Sequence, residues 1–173
     1  QRLLQEVYLK DILERNRLHN SEELQELLCV LASAVGFFSN PRKLADTFKS
    51  MKKVTLSANT IAAYANYFEN AFLLHRAQRY DIKGKRYIDS PYKYYFEDVG
   101  LRNACLNFRQ MEENHLMENI IYNELRMRGY SVDVGIVSVQ AKQPDGKYAR
   151  QRFEVDFVAN QGSKRLYIQS AFR

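Results

Sequence analysis

A carboxylate set among apolar neighbours raises the first chemical question in this chain. Over His115 to Arg128, a 100° step per residue surrounds Glu118 with Met117, Ile121, Tyr122 and Leu125. A carboxylate in that stripe needs a partner or a proton, because removing an isolated charge from water is costly. Downstream, Phe153, Val155 and Phe157 alternate with Glu154 and Asp156, which puts both acids on one side of a strand. In Tyr167 to Ala171 the same period gives Gln169 and Ala171 a common face. Carboxylate oxygens suit a hard divalent cation, but Glu118 and Asp156 bring only two formal charges and Gln169 a neutral amide.

A second kind of chemistry lies in the distribution of charge. The net charge is +6, and residues 37–93 hold eleven Lys and Arg against four acids, leaving fifteen against sixteen elsewhere. A local positive field attracts polyanions such as nucleic acid. Ten of the eleven cations fall in two groups, Arg42, Lys43, Lys49, Lys52 and Lys53, then Arg76, Arg79, Lys83, Lys85 and Arg86. Arg42, Lys43, Lys52, Lys53, Arg79, Lys83, Lys85 and Arg86 are the candidate nucleic-acid contacts. A solvated basic face, or one that meets a protein, accounts for the same charge equally well.

These residues need elements to position them. Leu3, Leu4, Val7, Tyr8, Asp11, Ile12 and Arg15 follow a 3.6 period with no cap before them, so the chain opens inside a helix and reads as cut from something longer. Asn20 and Glu23 form a capping box for a second helix that buries Leu24, Leu27, Leu28, Leu31 and Val35 and stops at Gly36. Asn40-Pro41 starts a third, with Leu44, Ala45, Phe48 and Met51 inward. Ser57 caps a fourth, with Ile61, Tyr64, Ala65, Phe68 and Phe72 inward. Its opposite face offers Asn59, Ala63, Asn66, Tyr67 and Asn70 and no cation, which favours phosphate contacts over base reading.

The pattern then changes to strands, Leu73 to Tyr80 and Tyr92 to Glu97, around a basic turn at Lys83-Gly84-Lys85. Three helices and a hairpin are the order of a winged helix. In the second strand, Tyr92, Tyr94, Tyr95 and Phe96 read as hairpin core. A short helix over Leu101 to Phe108 and a longer one from His115 to Arg128, ended by Gly129, precede strands at Ser131 to Val139, Phe153 to Ala159 and Arg165 to Ala171. Pro144-Asp145-Gly146 marks the turn between the first two of these. Glu124 pairs with Arg128 at i+4 on the wet face.

A helix glutamate, a hairpin ending in Asp and a third strand with two positions spaced by two resemble the layout of the PD-(D/E)xK nucleases. More specifically, RYDIKGK (Arg79 to Lys85), KYYFEDVGLRNA (Lys93 to Ala104), HLMENIIYNELRMRGYSVDVG (His115 to Gly135), EVDFVA (Glu154 to Ala159) and YIQSA (Tyr167 to Ala171) are similar to the C-terminal region of a prokaryotic family of AAA-type ATPases. In that family a nucleotide-binding domain precedes a domain of unknown function. The resemblance implies an upstream P-loop domain that carries ATP and Mg. No GxxxxGK[ST] occurs here, so this region is expected to hold no cofactor of its own.

The resemblance implies an α+β chain. A linker helix over residues 1–19 leads into a winged-helix-like module over 20–100, and a nuclease-like α/β module over 101–173 is left C-terminally incomplete. Glu118 falls at the helix carboxylate, Asp156 at the strand Asp, Gln169 at the Glu/Gln position and Ala171 where an active nuclease carries its lysine. In such a nuclease the acids hold a divalent metal and the lysine activates water. With Ala171 in that place, a degenerate site without metal or catalysis is expected, unless Lys164 or Arg165 substitutes. The resulting reading is a non-catalytic accessory region of an ATPase that binds nucleic acid or a protein partner. A metal-dependent nuclease and an oligomerisation or antitoxin-like module are the alternatives.

Cys29 and Cys105 lie in helical stretches with no Cys or His at ligand spacing, which reads as buried thiols in a reducing compartment rather than a zinc site or disulfide framework. Apolar runs are far shorter than the ~20 residues that span a bilayer, and a cytoplasmic location without membrane contact is expected.

Overall fold

The structure, a computed structural model, describes residues 4–19, 21–109, 112–142 and 148–171. The expected Asn20 cap and the Pro144-Asp145-Gly146 turn lie outside the described residues, and so do the side chains of Met51 and of Lys52, one of the candidate nucleic-acid contacts.

Four helical segments build the first half. A π-helical turn over Leu4–Leu9 runs into α1 (Lys10–Asn16), followed by α2 (Ser21–Ser33), α3 (Pro41–Lys52) and α4 (Ala58–Asn70). The local signals act as expected at α3 and α4: the Asn40 side chain accepts the Lys43 N–H at 2.7 Å, and Ser57 Oγ accepts the Thr60 N–H at 3.0 Å. Leu24, Leu27, Leu28, Leu31, Val35, Leu44, Phe48, Ile61, Tyr64, Ala65 and Phe68 are all buried.

Two expectations change here. The wider π turn shifts the apolar register of the first segment, so Leu9 and Ile12 enter the core while Val7 is 52% exposed. Leu9 and Ile12 thus pack in the main core. At the other end, α4 stops at Asn70, and Phe72, at φ 54° in the turn that follows, is 73% exposed instead of closing the stripe.

The second half supplies one mixed sheet of five strands in the order β2-β1-β3-β4-β5. Its strands are β1 (Leu74–Asp81), β2 (Arg86–Phe96), β3 (Ser131–Lys142), β4 (Tyr148–Gln161) and β5 (Lys164–Ile168), with α5 (Val99–Cys105) and α6 (Glu113–Met127) between β2 and β3. All neighbours are antiparallel except β1 and β3, where Arg79, Tyr80 and Asp81 lie beside Val134, Gly135 and Ile136. The sheet therefore runs across the division expected at residue 100, and the hairpin of β1 and β2 is its edge rather than a separate wing. One buried cluster joins Leu9 on the helical side to Phe157 and Ala159 in β4. The molecule is mixed α and β, as expected at that coarser level.

α6 lies on the sheet through Tyr122, whose ring stacks on Tyr95 of β2 at 4.2 Å and meets Phe157 of β4 at 6.1 Å. Asn119 ties the end of β2 to the same helix: its Oδ1 accepts the Phe96 N–H at 2.9 Å and its Nδ2 donates to the Phe96 carbonyl at 2.7 Å. On the face away from α6, Tyr87, Phe153 and Tyr167 are each 53% exposed. β5 ends at Ile168, so Gln169 and Ala171 follow the strand rather than sharing one of its faces.

Candidate functional site

Glu118 is buried, as its place in the apolar stripe requires, and its partner comes from a strand that sequence spacing did not connect to it. The Lys93 ammonium on β2, 3% exposed, donates to Glu118 Oε1 at 2.8 Å and contacts Glu154 Oε1 of β4 at 2.5 Å. The Tyr95 hydroxyl, two residues along β2 and on the same face, donates to the same Glu118 oxygen at 2.5 Å. Burial by itself would lower the Lys93 pKa, but the charges and hydrogen bonds of Glu118 and Glu154 outweigh it and hold the ammonium above its ordinary value. Tyr95 is pushed well above the ordinary phenol range, first by burial and then by the Glu118 charge, so it stays a donor.

Asp156 is satisfied separately. Its Oδ2 accepts both the backbone N–H and the hydroxyl of Ser170, each at 2.6 Å. Glu118, Asp156, Gln169 and Ala171 line one cavity of about 280 Å³ together with His115 and Ser170. Gly36 presses on its rim from the end of α2: at φ +80° it adopts a conformation that L side chains rarely take, and a Cβ there would lie 2.6 Å from His115 Nδ1 and 3.3 Å from Glu118 Oε2.

Part of the donor capacity around this cavity is engaged within the protein. One Glu118 oxygen is taken by an ammonium and a phenol, one Asp156 oxygen by two donors from Ser170, and Gln169 is neutral. Among the described residues no group of three or more His, Cys, Asp or Glu side chains is placed to hold a metal ion. Neither substitute cation reaches the cavity. Lys164 and Arg165 sit at the turn of β4 and β5, and Arg165 lies over the Tyr80 ring at 5.4 Å, on the face away from α6.

The basic residues divide differently from their order in the chain. Because β1 and β3 are parallel, the turn of the first hairpin and the open end of β3 and β4 fall at one end of the sheet. There Arg79, Arg86, Arg150 and Arg152 line a cavity of about 380 Å³ on the α6 side, with Asp81 and Asp89. Lys83 and Lys85 are exposed on the adjoining turn. That turn is fixed by Asp81, which accepts the Gly84 N–H at 2.9 Å; a Cβ on Gly84 would meet the same carboxylate at 2.6 Å.

Arg42 and Lys43 begin α3 near this end, since the Lys43 ammonium donates to the Phe38 carbonyl and Arg79 lies over the Phe38 ring at 5.6 Å. Lys52 ends α3 and Lys53 follows it, about 15 Å along the helix axis from Arg42. Sequence reading missed Lys93, Tyr95, Arg150 and Arg152. A lone lysine inside the aromatic run Tyr92 to Phe96, and two arginines alternating with Gln151 on the same strand as Glu154, were the available signals.

Comparison with known proteins adds a family. Residues 1–112 match the one described as a domain of unknown function, DUF8612. The chain belongs to that family. The DUF8612 match contains Lys93 and Tyr95 and ends before Glu118, Glu154 and Asp156, so the ion-paired centre is shared between the matched part and the rest. Two curated relatives match nearly the whole chain. An uncharacterized protein of Haemophilus influenzae is 37% identical over 166 residues, which covers 96% of this chain and 38% of the relative. Uncharacterized protein MJ1544 of Methanocaldococcus jannaschii is 26% identical over 160 residues, covering 92% and 33% respectively. The chain thus spans 38% of the length of the first relative and 33% of the second. No solved structure matches it. Among the described residues no helix is long and apolar enough to cross a membrane.

Proposed function

We propose that this region is a non-catalytic accessory part of a longer AAA-type ATPase, and that it binds nucleic acid through phosphate contacts at the arginine-rich end of its sheet. The observation that carries the reading is convergence: Arg79 and Arg86 from one hairpin and Arg150 and Arg152 from the other line a single cavity, with Lys83 and Lys85 beside it. Four guanidinium groups gathered by tertiary structure form a surface for phosphate oxygens, which arginine meets with paired donors. The absence of a cation on the outer face of α4 argues in the same direction, towards backbone contact and away from base reading.

The ATPase parent rests on the family resemblance, and the greater length of the relatives leaves room for an upstream domain that holds ATP and Mg. The carboxylate centre is assigned a structural role, because Lys93 supplies its positive charge internally, between Glu118 and Glu154.

The test is fluorescence anisotropy with labelled single-stranded and duplex DNA of two unrelated sequences, from about 50 to about 200 mM salt. Weak binding that ignores sequence and falls steeply with salt is expected. Binding that ignores salt, or none at the lowest salt, overturns the reading. A protein partner would then be the occupant of this surface.

A further inference from the structure

We propose that the cavity between the two hairpins is a site for a terminal phosphate, a phosphate monoester at the end of a nucleic-acid strand, and not only a stretch of surface for the backbone. The proposal deepens the nucleic-acid reading and rests on it for the source of the phosphate. Its lining carries four cations, Arg79, Arg86, Arg150 and Arg152, against two acids, Asp81 and Asp89, a balance of +2. A phosphate monoester carries about −1.5 to −2 at neutral pH, whereas each internal phosphodiester carries a single negative charge. The concavity and the charge therefore match the end of a strand better than its middle.

Arg79 is built for the role. Its guanidinium is held from one side by the Phe38 ring at 5.6 Å and donates through Nη2 to the Ser90 carbonyl, while its buried Nε has no hydrogen-bond partner. An unpartnered buried donor is costly, and a ligand oxygen would satisfy it. Arg79 is held below its ordinary pKa, first by burial and then by the charge of Arg152. The two guanidinium groups therefore repel each other, and a bound dianion would remove that repulsion. Among the described residues no ion pair joins Arg150 or Arg152 to an acid, whereas Arg86 has only a loose one to Asp81 at 3.9 Å. The acids closer to the centre are already committed: Glu154, two residues from Arg152 on the same face of β4, is held by Lys93.

The experiment uses the 173-residue protein, whose core is continuous from its first helix to its last strands. Four probes are compared at one salt concentration: a single-stranded oligonucleotide with a 5′-phosphate, the same strand with a 3′-phosphate, the same strand with hydroxyls at both ends, and ribose 5-phosphate as competitor. At least one phosphorylated strand is expected to bind about tenfold or more tightly than the hydroxyl strand, the scale of one or two charge-assisted hydrogen bonds. In the Arg79→Gln/Arg152→Gln double variant every strand should bind less tightly, and the ratio between the phosphorylated and the hydroxyl strand should fall from about tenfold to about one.

Equal affinity for all three strands overturns the end site but leaves the general nucleic-acid reading intact. A preference that survives the double variant overturns the assignment to this cavity. If no strand binds but ribose 5-phosphate raises the melting temperature of the wild type and not of the double variant, the nucleic-acid source is overturned and the phosphate site stands. No response to any probe overturns both.

Discussion

The Lys93 ammonium lies 2.8 Å from the Glu118 carboxylate in the interior of the protein, with both side chains almost closed to solvent. A buried pair of this kind contributes little relative to apolar residues of the same volume, but loss of one member strands the other. Lys93→Met is therefore expected to destabilise the fold by about 3–5 kcal/mol, measured by urea unfolding. Lys93→Met combined with Glu118→Gln should recover part of the loss. A double variant no better than the sum of the singles would show that the two groups do not act as a pair.

Alkaline pH should act on the same centre. Lys93, Tyr94 and Tyr95 all have folded pKa values above their ordinary ones, and burial raises Tyr122 to about 12. In each case the folded state keeps a proton that the unfolded state releases near pH 10, so stability is fully present below about pH 10 and falls as pH rises above it. Urea midpoints at stepped pH should decline from there, and tyrosinate absorbance should show a set of tyrosines that ionise only on unfolding. A flat midpoint to pH 11 or so would contradict the shifts.

Asn119→Ala removes both hydrogen bonds that hold Phe96 at the end of β2 to α6. It leaves a buried N–H and carbonyl with less than they had, which costs about 2–3 kcal/mol. Asn123 also donates to the Phe96 carbonyl at 2.9 Å, so the N–H carries most of the loss. Slow amide exchange at Phe96 in the variant would refute this account.

Charge reversal of Lys83, Lys85 and Arg86 together should abolish DNA binding, whereas Asn66→Ala, on the exposed cation-free face of α4, should change it less than about twofold. Affinity retained by the triple variant would move the contact surface elsewhere.

No cleavage of single-stranded or duplex DNA is expected with Mg²⁺ or Mn²⁺. Asp156 is engaged twice by Ser170, Glu118 by Lys93 and Tyr95, and Ala171 offers no cation to a growing negative charge. Metal-dependent cutting by the wild type that disappears in Asp156→Ala would replace the accessory reading with a nuclease.

Local chemistry was legible without coordinates. Caps at Asn40 and Ser57, the stripes of α2, α3 and α4, the Glu124 to Arg128 pair at 2.6 Å, and the burial of Glu118 all follow from interactions within four residues of chain or from helical periodicity. Glu118 and Asp156 were singled out for the same reason. A carboxylate out of pattern can be seen in one dimension, but its partner cannot. Lys93 is 25 residues from Glu118, and only the packing of α6 on the sheet joins them.

The parallel pairing of β1 with β3 was equally invisible, because two strands of similar alternation carry no mark of which neighbour they take. That pairing decided where the charges meet. It merged the hairpin with the rest of the sheet, brought Arg79 beside Arg152 from a different hairpin, and left Lys52 and Lys53 at the remote end of α3. The sequence determined which residues are charged, which are apolar and where helices begin, since those are properties of short segments. Which charges share a cavity was a matter of strand order, set by contacts far apart in the chain.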